Sequence, residues 1–179
     1  MNNLLIITLS LMVLINIFFF VAFERKKPGP REILPIVVVC CGASLGRVIF
    51  AVVPQVQPVT VLVIITGSVY GCRMGYVTGA LCALVSNLFL GQGPWTLFQM
   101  AAWGMVGLFA GILGKLLKNC TENVQTVCYA IYSFFAAILF SIFTDSLTVS
   151  YLGENVTMSS AVAVFATGIA FNLGMQWEM

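Results

Sequence analysis

Seven apolar runs lie between Leu4 and Met175, and their length decides what the chain can become. Leu4–Phe23 alone is long enough to cross ~30 Å of hydrocarbon as a helix. The others are Ile33–Val53, Val59–Tyr70, Tyr76–Leu90, Thr96–Leu117, Val124–Val149 and Met158–Met175. Composition agrees: 60% of residues are hydrophobic and 8% charged. A soluble domain carries roughly 25% charged residues. The expected fold class is an all-α integral membrane protein. Leu4–Phe23 reads as a retained helix rather than a signal peptide, because no Lys or Arg precedes it and the charges follow it. A chain of 179 residues has no room for a soluble catalytic domain beside such a bundle.

Several chemistries are excluded. The chain has no histidine, which removes Ser-His-Asp and Cys-His catalysis and the His-containing zinc motifs. The six cysteines form no Cys-x-x-Cys pair and sit mostly in apolar runs, where a thiol behaves as a small hydrophobe. No cofactor and no metal is expected. There is no basic block for nucleic acid and no Gly-x-x-x-x-Gly-Lys-Ser/Thr loop for ATP.

The connections set the topology. Arg25, Lys26, Lys27 and Arg31 lie in the first, Glu24–Pro35; Arg73 lies in the third; Lys115 and Lys118 lie in the fifth. The second, the fourth and the sixth carry no Lys or Arg. Basic residues in alternate connections are what the positive-inside rule requires of seven spans with the amino end outside and the carboxyl end in the cytoplasm. One helix fewer breaks the alternation. This favours a hairpin over one kinked helix at Gly71–Gly75, where two glycines flank Arg73.

The run Asn87–Gln99, NLFLGQGPWTLFQ, carries the strongest local punctuation. Gly91, Gly93 and Pro94 cannot continue a helix, so the chain turns. Trp95 suits a membrane surface. With the orientation above, Arg47, Asn87, Gln99 and Asp145 fall at a similar outward depth in four spans. A charge inside a span costs about 3 kcal/mol on insertion scales, so such residues face the protein interior or a wet cavity. An outward-facing polar pocket is expected, formed by Arg47, Gln57, Asn87, Gln92, Trp95, Gln99 and Asp145. The simpler alternatives are an Arg47–Asp145 pair, snorkelling side chains, and a tight loop with Trp95 as its anchor.

Small residues recur every four positions at Gly67, Gly71, Gly75, Gly79 and Ala83, and again at Gly107 and Gly111. This spacing lets helix backbones approach closely in lipid. Spans three, four and five should cluster tightly.

The ordered features resemble a known family. They are Gly46-Arg47; Pro54-x-x-Gln57-Pro58-Val59-Thr60; the glycines from Gly67 to Gly79 with Arg73; Ser86-Asn87-Leu88-Phe89; Gly91-Gln92-Gly93-Pro94-Trp95-Thr96; Gln99-Met100; and Ala102-Trp103-Gly104. The stretch Ile33–Leu117 resembles the substrate-binding S component of an energy-coupling factor (ECF) transporter, within a subgroup marked by the GQGPWT…QM turn. Phe171-Asn172-Leu173-Gly174 is similar to the family's last helix. The resemblance implies a six-helix bundle over residues 33–179, preceded over residues 1–32 by an extra transmembrane helix and a basic cytoplasmic loop. It implies no enzymatic activity. It implies a vitamin or precursor as ligand, with cobalamin as the candidate and queuosine precursors as relatives' proposed cargo. It implies a membrane T subunit and two ATPases as partners. The docking face it implies is the small-residue surface of the first core helix, at Cys40, Ala43 and Ser44, joined by Gly67 and Gly71. The alternative from another class is a membrane structural or assembly protein without a ligand.

Overall fold

A computed structural model describes the backbone of residues 3–52, 58–153 and 157–174. Gln57, one of the expected pocket residues, lies outside the described residues, as do Glu154 and Met175. The described residues form seven α-helices. They are α1 (Asn3–Glu24), α2 (Pro30–Ile49), α3 (Val59–Tyr70), α4 (Cys72–Leu90), α5 (Trp95–Leu116), α6 (Glu122–Leu152) and α7 (Met158–Gly174). A single 3-10 turn, Phe50–Val52, follows α2. Five of the helices, α1, α2, α4, α5 and α6, are long and apolar enough to cross a membrane. The twelve residues of α3 rise only ~18 Å, short of a full crossing.

Two boundaries differ from the sequence reading. The basic loop expected to run to Pro35 is only five residues long, because α2 begins at Pro30. Proline suits that first position: its missing N–H has no partner there anyway. Arg31 and Glu32 are therefore helical. The expected turn Gly71–Gly75 also shrinks, to Gly71 alone. Gly71 takes φ 93°, which a side chain would resist. Its N–H closes α3 on Gly67 O (2.8 Å), and its carbonyl receives the Gly75 N–H (3.0 Å), opening α4. One residue both ends a helix and starts the next, so Arg73 and Gly75 belong to α4.

The chain does reverse at Gly71. A Cβ on Gly75 would come within 2.7 Å of the Cα of Gly67, which two points on one continuous helix could not approach. The same seam continues into α5. A Cβ on Gly75 would strike the backbone of Gly107, and one on Gly107 would strike that of Gly75. The four-residue spacing of small residues thus brings α3, α4 and α5 backbone to backbone.

Around this seam lies the core. Trp103, Tyr76 and Phe98 are the largest fully buried side chains. Helix α2 packs along α4, with Cys40 and Ala43 in the same apolar cluster as Ala80, Cys82 and Ala83. Helix α1 is part of the bundle rather than an appendage. It packs on α4, α5 and α6. Asn16 is buried, accepts from the Tyr76 hydroxyl (3.1 Å) and donates to Met12 O (2.8 Å) and Leu97 O (3.2 Å). Phe19 stacks on the Tyr76 ring at 3.9 Å. Helix α6 bonds to α5 through the Tyr132 hydroxyl and Val106 O, and α7 packs on α6.

Lys26 of the first connection, Arg73 of α4 and Lys115 of α5 line one shared cavity. Arg47, the α4–α5 turn and Gln99 gather elsewhere, with no Lys among them. One residue from each of the three basic stretches of the sequence thus meets the others in space.

Candidate functional site

Arg47 sits in the last turn of α2, where the free carbonyls of the helix end favour a cation. It is half-buried, and no carboxylate pairs with it among the described residues. Its partners are neutral instead. Nη1 donates to Ser86 Oγ (2.7 Å) and to Asn87 Oδ1 (2.7 Å), both on α4. Nη2 reaches Gln99 Oε1 on α5 at 3.5 Å. The guanidinium also stands 4.8 Å over the Trp103 ring, a cation–π arrangement.

These partners are themselves held. Ser86 Oγ donates to Cys82 O (2.6 Å), leaving its lone pairs for Arg47. Asn87 Nδ2 donates to Thr96 Oγ1 (3.0 Å) and Gln99 Oε1 (2.8 Å), which aims its oxygen at the arginine. Thr96 Oγ1 donates to Gln92 Oε1 (2.9 Å), and Gln92 Nε2 donates back to Leu84 O (3.0 Å). Gln92 therefore stitches the turn across both helices. Trp103 Nε1 donates to Thr60 Oγ1 on α3 (3.2 Å), which fixes the face of the ring. Four helices, α2 to α5, thereby hold one cation.

The turn that allows this is built from Gly91, at φ 108°, and from Gly93. A Cβ on Gly93 would run into the Trp95 ring, which folds over it.

An arginine has five N–H donors. Three are used here. Two have no acceptor among the described residues, and such donors can meet a carbonyl, hydroxyl or carboxylate oxygen. Arg47 is rigidly aimed, only partly desolvated and not neutralised by any described carboxylate. That combination makes Arg47 a candidate binding group.

The sequence-derived candidates divide. The structure unites Arg47, Asn87, Gln92 and Gln99. Trp95 is exposed and caps Gly93, outside the hydrogen-bonded network. Asp145 is elsewhere: its carboxylate lies where a Cβ on Gly168 of α7 would be, and Oδ2 is buried with no hydrogen-bond partner among the described residues. No Arg47–Asp145 pair forms among the described residues, and Asp145 stands outside the network around Arg47. Ser86, Thr96, Trp103 and Thr60 were missed as site residues. The signal was available on α5, because Thr96, Gln99 and Trp103 recur at i, i+3 and i+7 and so share a face.

The expected docking residues are turned inward. Cys40, Ala43 and Ser44 are buried against the bundle, and a Cβ on Gly67 would strike the Gly107 backbone. Only Gly71 is open. Small size at these positions serves packing inside the chain. The outward stripe of α2 is Leu34, Val38, Cys41 and Leu45.

The described residues thus form a bundle of apolar helices that holds a cation among neutral amides. The model of one family, the ECF-type riboflavin transporter S component, matches residues 36–175, and the chain belongs to that family. The match starts inside α2, so α1 lies outside it. No curated protein and no solved structure matches the chain. The protein is thus a substrate-binding subunit of a vitamin transporter in the cell membrane, a role that is not an enzyme's.

Proposed function

We propose that this chain captures a flavin and delivers it through a membrane T subunit driven by two ATPases. The carrying observation is Arg47, held by Ser86, Asn87 and Gln99 and stacked on Trp103, with two donors that meet no acceptor among the described residues. The pyrimidine edge of an isoalloxazine ring offers carbonyl oxygens, either of which can accept from a guanidinium N–H. The family's name points to riboflavin, and this favours a flavin over the cobalamin expected from the sequence.

The amino end lies outside and the carboxyl end in the cytoplasm, since Lys26, Arg73 and Lys115 gather at one end of the bundle. The Arg47 site then opens outward. The T-subunit contact falls on the outward stripe of α2, around Val38, Cys41 and Leu45, instead of on the buried small residues.

Copurification decides the ligand. The protein is extracted from cells and its bound small molecules are identified by mass spectrometry. Riboflavin in stoichiometric amount is the expected result. A corrinoid in its place, or no small molecule with no binding of added riboflavin, overturns the reading.

A further inference from the structure

The opposite end of the bundle carries a cavity of about 290 Å³ that plays no part in the Arg47 site. Lys26 of the first connection, Arg73 of α4 and Lys115 of α5 line it. Glu32 is the single carboxylate among its walls, and the Tyr70 side chain adds a hydroxyl. None of the three cations forms a salt bridge among the described residues. The first turn of α4 forms part of the wall, and no side chain caps that helix end. Its unpaired N–H groups add to the positive potential.

A second, larger groove of about 410 Å³ adjoins the first, and the two share Lys26 and Arg73. Its floor is apolar: Ile17, Phe18, Val21 and Ala22 of α1. Ile17, Phe18 and Val21 are exposed on the outside of a membrane-spanning helix, so the groove faces lipid. Arg25 stands at its upper edge. A polar, cationic chamber therefore opens onto a lipid-facing apolar channel through two shared basic residues.

We infer that this end of the chain holds one anionic phospholipid, its phosphate among Lys26, Arg73 and Lys115 and an acyl chain along α1. Charge selects the headgroup: three cations against one carboxylate leave a net attraction for a phosphate that zwitterionic lipids satisfy only partly. The apolar groove selects a lipid over a soluble anion, because a free phosphate gains nothing from Phe18 and Val21. The lipid would tie α1, which lies outside the family match, to the α3–α4 junction and the end of α5. This inference does not depend on the identity of the transported vitamin.

The test uses the full chain in neutral detergent, titrated with phosphatidylglycerol or with phosphatidylcholine of identical acyl chains, and bound lipid counted by native mass spectrometry. Each surface cation contributes roughly a fivefold factor to anionic-lipid binding, so phosphatidylglycerol should be preferred on the order of 100-fold. Replacing the three together, Lys26→Gln, Arg73→Gln and Lys115→Gln, should bring the preference to within about threefold. The control Lys27→Gln with Lys118→Gln removes two exposed cations that line neither groove, and should leave the preference intact. Glycerol 1-phosphate, the headgroup without chains, should not displace the bound lipid. Equal retention of the two lipids by the unmodified chain overturns the inference. So does an equal loss in the control variant. Displacement by glycerol 1-phosphate would reassign the site to a soluble anion and overturn it as well.

Discussion

Arg47 and Arg73 are the same side chain at opposite ends of one helical bundle, and the fold treats them in opposite ways. Arg47 ends α2 half-buried, with three hydrogen bonds to neutral oxygens and an aromatic ring beneath it. Arg73 starts α4 exposed, with no hydrogen bond or ion pair among the described residues. Burial explains the difference. A partly desolvated guanidinium must be given acceptors, because an unpaired buried charge costs far more than a lost hydrogen bond. An exposed one keeps its water. Arg47 is therefore a positioned group with fixed geometry, whereas Arg73 is a source of field. The first kind selects a ligand by shape and donors; the second selects by charge alone.

The bluntest way to break the contrast is to wedge α2 away from α4, since Arg47 depends on that contact. Ser44→Trp places a large ring where Ser44 is buried, and should abolish both folding in detergent and vitamin binding. Leu45→Trp, one residue on and facing outward, should leave binding unchanged while reducing uptake by the assembled transporter. Size-exclusion profiles and flavin titrations on the two variants measure this. A folded, ligand-binding Ser44→Trp protein would mean that α2 is not held as described.

Next in size is removal of the cation itself. Arg47→Met should weaken flavin affinity on the order of 100-fold, because it deletes the positioned charge and strands its acceptors. Arg73→Met should leave the same affinity within about twofold, as an exposed charge contributes little. Equal losses in the two variants would erase the distinction between positioned group and field.

Asn87→Ala sharpens the comparison one step out from the cation. It removes the acceptor at 2.7 Å and the donor that aims Gln99. The expected loss of affinity is roughly 1–3 kcal/mol with helix content intact by circular dichroism. No loss would show that Asn87 only seals the end of α4.

The smallest effect on flavin binding is its dependence on salt. Raising ionic strength from about 0.1 M to 1 M shortens the screening length from ~10 Å to ~3 Å. Flavin binding at Arg47 should move by less than about twofold, since short, partly buried contacts are screened little. The preference for anionic lipid at Lys26, Arg73 and Lys115 should collapse over the same range. Parallel losses at the two sites would contradict the assignment of Arg47 as a desolvated contact group.

The helices and half of the site were legible in the sequence for the same reason: lipid is a severe solvent. Long apolar runs can only be helices there, and a rare Arg, Asn or Gln within them must find a partner. Arg47, Asn87, Gln92 and Gln99 stood out on those grounds. Ser86, Thr96 and Trp103 did not, because a hydroxyl or an indole in an apolar helix is common and carries no cost that demands explanation. Asp145 stood out on the same grounds as Arg47, yet it lies against Gly168 on α7. Depth along a helix can be read from spacing, but the azimuth at which neighbouring helices meet cannot.

By itself, then, the sequence determined the membrane class, the seven helices, the tight α4–α5 turn and the alternation of basic connections. Each follows from local chemistry: hydrocarbon length, glycine and proline dihedrals, and the position of Lys and Arg. Only the tertiary structure decided which face of each helix looks inward. It turned Cys40, Ala43 and Ser44 into the core, confined the α3–α4 break to Gly71, and joined α1 to the bundle through Asn16 and Tyr76. The physical reason is that small residues permit close approach without naming the partner, and lipid-facing and protein-facing surfaces are equally apolar. Packing among neighbours, not polarity, settles the choice.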